Sequence, residues 1–308
     1  MLYVKKAFSR HRRNLALLLL VAGMIFLGNS NGTNFFFSLT DKTETSYECA
    51  NCYPGAYYRK VASEYADWQG IEGVIKIGQP TLDPARYNPR TNWSWDGFNI
   101  YMGGNAGGLQ EIDAGLNWAP VLDVNGRRVG DGTVGAFHAF WRNGAWNDAP
   151  LTSQCYWYPG DVVKMSVVVT ERGKLRLTIC DAGPNPRRIF IQEFAASYFG
   201  GRARMQFKRV NDVAQHGNEG RPVIPTHTQI VGAAWQECYL LHTVNGVTVR
   251  VPTNSANTYS MSCPHKRHVR IVTTHELDAK GGEQISIYGT PPAPLAVPFQ
   301  SAHSFNGR

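Results

Sequence analysis

Apolar and polar residues alternate most regularly between Tyr158 and Cys180, and this stretch predicts a β-hairpin. After the turn Pro159-Gly160-Asp161, the residues Val163, Met165, Val167 and Val169 take one side, and Lys164, Ser166 and Thr170 the other. Glu171-Arg172-Gly173 reverses the chain, and Leu175, Leu177 and Ile179 then alternate with Arg176 and Thr178. A period of two belongs to a strand with one buried face. Similar reasoning predicts strands over 71–77, 98–102, 109–118, 137–142, 189–194, 204–210, 229–235, 238–243, 247–252, 268–274 and 284–288. Asn245-Gly246 and Asn125-Gly126 are type I′ turn signals. Short strands without intervening helices predict an all-β protein, an antiparallel β-sandwich of the concanavalin A-like, jelly-roll kind.

The pattern breaks at both ends. Lys5, Lys6, Arg10, Arg12 and Arg13 precede an apolar run from Leu15 to Gly28, followed by Asn29 and Ser30. This is the layout of a signal peptide over 1–30, so a secreted, extracellular protein is expected, with an uncleaved signal anchor as the one route to a membrane. Residues 31–69 read as an N-terminal arm containing a CxxC loop, 70–290 as the sandwich, and 291–308 as a Pro-rich tail. Removing the five leader charges from 31 basic residues leaves 26 against 23 acidic ones, which argues against nucleic acid as a partner.

Six cysteines in an exported chain suggest disulfides. Cys155 with Cys180 and Cys238 with Cys263 each bracket a strand pair, which leaves Cys49 with Cys52. A CxxC is also the spacing of a redox pair or half a zinc site, but no βαβ pattern and no second CxxC accompany it. His265 and His268 fall on opposite strand faces, and no metal or other cofactor is expected.

Two sets of residues could carry chemistry. Glu111 and Asp113 are two apart on one strand, so they share a face about 7 Å apart, a spacing at which carboxyls can divide acid and base roles. They are equally placed to be solvated, or paired with Arg142, Arg176 or Arg188. Trp93, Trp95 and Trp118 belong to a run of tryptophans that either stack on sugar rings or plug the sandwich ends. His138 is read as a base or a structural histidine.

The order of motifs resembles the glutamic peptidases (eqolisins). FNIYMGG (98–104), EIDAGLNW (111–118), FHAFWR (137–142), the YPGD hairpin, RRIFIQEF (187–194) and GRARMQFKRV (201–210) are similar to that family's successive strands. The resemblance implies a concanavalin-like sandwich and a Gln/Glu dyad that activates water. Asp113 stands at the Gln position and Arg188 at the Glu position, so the dyad is replaced. The leading expectation is binding of an extended polymer, an extracellular polysaccharide first and a peptide second, in a concave groove that includes Arg142 and Arg188. The alternatives are an acid peptidase or glycosidase using Glu111 and Asp113, and a structural subunit of an extracellular assembly.

Overall fold

The computed structural model describes residues 39–40, 52–88, 90, 93–120, 135–150, 152–264, 268–274 and 276–289. The predicted leader, residues 31–38 and 41–51 of the arm (Cys49 among them), Asn125-Gly126, His265 and the Pro-rich tail lie outside the described residues, while the rest of the arm supplies the strand Ala56–Ser63. Two large antiparallel sheets make up the body of the fold, and Tyr87–Asn88 pairs with Trp93–Ser94 as a separate two-stranded ribbon. The first runs in the order Leu39–Thr40, Arg270–Thr274, Glu283–Tyr288, Gln229–Val244, Trp68–Lys76, Val162–Glu171, Lys174–Asp181, Ile189–Ala195. The second runs Ala145–Asp148, Gly135–Asn143, Gln110–Pro120, Asp96–Ala106, Met205–Gln215, Ala56–Ser63, Thr258–Cys263. The fold is the all-β antiparallel sandwich that the alternation predicts. Among the described residues no helix is long and apolar enough to cross a membrane.

The 162–181 hairpin is built as its pattern requires. Val163, Met165, Val167, Leu175, Leu177 and Ile179 are all fully buried and belong to one core cluster. Each such side chain contributes roughly 1.5–3 kcal/mol of burial. The second sheet supplies the opposing layer through Phe98, Ile100, Met102, Ile112, Ala114, Leu116, Phe137, Ala139 and Phe207. Val244 pairs with Val247, and positive φ at Asn245 (51°) and Gly246 (78°) closes the predicted two-residue turn.

The layer between the sheets is not wholly apolar. Arg59 donates from Nε (2.9 Å) and Nη2 (2.5 Å) to Glu283 Oε1, and Arg209 Nη2 donates to Glu283 Oε2 at 3.0 Å. The arginines come from the second sheet and the glutamate from the first, so the ions tie the layers together. Trp235 Nε1 donates to Asn211 Oδ1 at 2.7 Å across the same gap.

The cysteine pairing differs from expectation. Cys52 is bonded to Cys263, while Cys155, Cys180 and Cys238 are free thiols. Cys155 lies in the core, whereas Cys180 follows the inward-facing Ile179 and points out of the first sheet. Cys238 faces the core from the first sheet, whereas Cys263 belongs to a cluster with Tyr58 and Val210 on the far side of the second. Neither predicted pair shares a face. With Cys263 taken, Cys52 has no valence for Cys49. The bond fixes residue 52 to the edge strand Thr258–Cys263 and fits an oxidising compartment.

Candidate functional site

The side of the second sheet turned away from the core carries polar groups in ordered rows. Inward-facing Ile112, Ala114 and Leu116 leave Glu111, Asp113, Gly115 and Asn117 on the outer face, and Tyr101, Gly103, Lys208, Asp212, His138 and Arg142 join them from neighbouring strands. In one row Arg142, Asp113, Gly103 and Lys208 stand opposite one another on four successive strands.

Asp113 is the centre of that row. Its Oδ2 accepts from Arg142 Nη2, and its Oδ1 lies 2.8 Å from Lys208 Nζ. Lys208 Nζ also donates to Glu111 Oε1. The Asp113 and Lys208 side chains are 6% and 8% exposed, against 44% for Arg142 and 54% for Glu111, so a sealed pair underlies two groups open to solvent. Burial works against the Lys208 ammonium, but Asp113 and Glu111 more than offset it and raise its pKa. Arg142 is likewise raised, with Asp113 outweighing burial.

Two glycines make room for this arrangement. A Cβ at Gly103 would stand 2.2 Å from the Ile112 carbonyl, 2.9 Å from Asp113 Oδ1 and 3.1 Å from Lys208 Cε. A Cβ at Gly115 would meet Tyr101 Cβ at 2.7 Å. Gly103 therefore opens the gap across which Asp113 and Lys208 meet, and Gly115 lets the Tyr101 side chain pass beside its strand. Burial, then Asp113 and Asp212, push the Tyr101 hydroxyl well above its usual pKa. Lys208 Nζ lies 5.7 Å from the Tyr101 ring centroid.

Four residues along, about 13 Å at strand rise, a second row sets Tyr156, His138, Asn117, Asn99 and Asp212 side by side. Asp212 Oδ1 accepts from Asn99 Nδ2 at 2.7 Å. Burial, opposed by that hydrogen bond and reinforced by Asp113, raises the Asp212 carboxyl to about 7. His138 is lowered, chiefly by burial, despite Asp148 and the Ala149 and Pro150 backbone. Trp146 stacks flat on Phe140 at 4.2 Å between centroids, giving this face an exposed aromatic edge.

The sequence-predicted residues are distributed over several places. Glu111, Asp113 and Arg142 come together. His138 shares their face at the other row. Trp93 and Trp95 are exposed, but Trp95 lies beside Gly217 and Arg86, at the far end of the 96–106 strand. Trp118 packs edge-on against Phe137 (5.2 Å) and Phe98 (6.0 Å) at the rim of the core. Arg188, where the resemblance places a glutamate, is held by Asp161 (2.9 Å) and Asp181 (2.6 Å) and donates to the Tyr156 carbonyl at 2.8 Å. It ties the turn at Asp161 and the end of the first-sheet strand Lys174–Asp181 to Tyr156, whose strand pairs with the second sheet, and Asp113 is not among its partners. Lys208, Tyr101 and Asp212 were not singled out by the sequence. Their signal was the outward register of two strands, which only pairing reveals.

No protein-family model matches the chain, and no curated protein matches it. Solved structures do. Scytalido-glutamic peptidase with a peptide-based transition-state analogue matches at TM-score 0.46 and 11% identity, over 76% of this chain and 98% of that one. The same peptidase with a transition-state analogue inhibitor matches at 0.42 and 12%, with the same coverage. SCP-B, a member of the eqolisin family of peptidases, in complex with the tripeptide Ala-Ile-His, matches at 0.42 and 11%, again over 76% and 98%. The likeness is distant and one of fold.

Proposed function

We propose that the chain is an exported hydrolase that takes an extended polypeptide along the outer face of the second sheet. Asp113 is its water-orienting carboxylate. The observation that carries this reading is the Asp113 carboxylate set into the sheet, on a buried ammonium, next to a guanidinium that reaches solvent. Asp113 takes a proton from water as the water oxygen bonds to the peptide carbonyl carbon. Arg142 stabilises the oxyanion. Asp113 then returns the proton to the leaving nitrogen as the C–N bond breaks. Glu111 keeps Lys208 neutralised in this scheme and does not act as an acid.

The experiment is an acid-to-neutral peptidase assay on an unfolded protein substrate. Asp113→Asn is expected to lower kcat by a hundredfold or more, on the order of the loss of a catalytic base, and Arg142→Ala to lower it without abolishing binding. Cleavage unchanged in Asp113→Asn overturns the proposal. The exposed Trp93, Trp95 and Trp146 favour a second reading, glycan binding. Polysaccharide pull-down lost on Trp146→Ala, with no peptidase activity in the parent, would establish it instead.

A further inference from the structure

Three acceptor atoms in the second row are buried and unpartnered: Asn99 Oδ1, Asn117 Oδ1 and His138 Nε2. They belong to residues directly opposite one another on three adjacent strands, Asn99 to Asn117 and Asn117 to His138. Inward-facing Phe98, Leu116 and Phe137 put all three on the outer face. The Asn99 amide is oriented by its own donation to Asp212, which leaves Oδ1 as the open atom. His138 Nδ1 is turned to the Asp148 carboxylate, 3.8 Å away, so Nε2 is the ring nitrogen left to the row. Buried polar atoms are ordinarily paired, and three in one row are placed to receive a donor from outside the chain.

We propose that this row is a recognition subsite for an arginine side chain of the bound polypeptide, its guanidinium donating to Asn99, Asn117 and His138. This rests on the outer face being a polypeptide-binding surface. A guanidinium carries five N–H donors and no acceptor, which suits the three open acceptors Asn99 Oδ1, Asn117 Oδ1 and His138 Nε2. The row spans two strand spacings, roughly 10 Å, a width that a planar fork covers better than a compact ammonium. Carboxyls flank both ends: Asp212 beside Asn99, and Asp148 with Oδ1 3.8 Å from His138 Nδ1. The cations Arg142 and Lys208 sit a row-spacing away, near the proposed scissile position. Asn117, at the centre, is only half-buried and gives the route in.

The test uses the full chain labelled at histidine nitrogen and aspartate carboxyl carbon, with agmatine as probe, N-butylurea as the uncharged counterpart of its guanidinium end and butylamine as the counterpart of its ammonium end. Agmatine is expected to move the His138 Nε2 resonance and to lower the Asp212 titration midpoint, with N-butylurea and butylamine each at least tenfold weaker. Asn117→Val is expected to weaken the agmatine response about tenfold at unchanged Tm. A peptide containing arginine is expected to bind about tenfold tighter than its citrulline twin, and Asn117→Val to erase the difference. Equal responses to agmatine and to N-butylurea or butylamine, no response to any of the three, or an Asn117→Val protein that responds like the parent would overturn the subsite and leave water as the donor. These readouts need no cleavage. An agmatine site in a protein without peptidase activity sinks only the hydrolase reading, and cleavage without one sinks only the subsite.

Discussion

Two clusters of charge lie on opposite faces of the same sheet and are built on opposite principles. Between the sheets, Glu283 is enclosed by Arg59 and Arg209, with side-chain exposures of 1%, 12% and 1%, and the Arg209 guanidinium lies 5.4 Å from the Trp235 ring centroid. On the outer face, Asp113 and Lys208 are sealed but each keeps one partner at the surface, Arg142 or Glu111. The inner cluster has exchanged its hydration for partners within the fold, so it acts on stability alone. The outer one can open a partner toward a ligand without exposing the core. A charge cluster becomes a site when part of its coordination can be lent out.

The inner cluster should give the largest effect. Glu283→Gln removes the carboxylate that pairs, among the described residues, with the buried Arg209 and the largely buried Arg59, and breaking such a pair costs about 3–5 kcal/mol. Urea unfolding of the variant should show that loss, with peptide cleavage per folded molecule unchanged. A loss below about 1 kcal/mol would mean that the arginines find other partners and that the inner cluster is not the tie between the sheets.

Next comes pH. Asp212 belongs to the outer face but is closed like the inner cluster, and its carboxyl is raised from 3.8 to about 7 by burial first. Between those values the unfolded chain has released the proton and the folded chain has kept it, so stability falls as pH rises. The slope vanishes above about pH 7, and below about pH 4 both states hold the proton. The total is roughly 4 kcal/mol for about three pKa units. Asp212→Asn should flatten this part of the stability–pH curve, as measured by chemical denaturation at pH 4 and pH 8. A parent that is no less stable at pH 8 than Asp212→Asn, relative to pH 4, would show that Asp212 ionises freely.

The same contrast explains what the sequence allowed to be read. Strands whose inner face is apolar, such as Val162–Glu171 and Gln110–Pro120, declared their faces through alternation. Ala56–Ser63 (AYYRKVAS) did not, because Arg59 faces inward to Glu283 and Lys60 outward, so charge occupies both sides of the pattern. Residues 229–244 form one strand where two were expected. Shifts in register between Ile230 and Ala233, where Gly232 has φ 71°, and between Trp235 and Glu237 break the period. The shared face of Glu111 and Asp113 was legible from their spacing alone. Their meeting with Lys208, ninety-odd residues away, depends on register between strands that spacing does not encode. The cysteines were misread for a simpler reason: the alternation that put Ile179 inside already put Cys180 outside.

The smallest stability effect belongs to Asp113, the residue on which the proposed reaction depends most. Asp113→Asn keeps an oxygen that accepts from Lys208, and Lys208 retains the Glu111 carboxylate. Arg142, 44% exposed, regains water when its partner's charge is lost. The cost should be about 1.5–3 kcal/mol, as expected of a hydrogen bond to a charged group, or a Tm shift of several degrees for a domain of this size. Peptide cleavage should nonetheless fall to background, because an amide cannot take the proton from water. Calorimetry and the peptidase assay on one preparation separate the two. If Asp113→Asn destabilises as much as Glu283→Gln while sparing cleavage, the outer cluster is a second structural tie, and the distinction between sealed and lendable charge fails at the place where it matters for function.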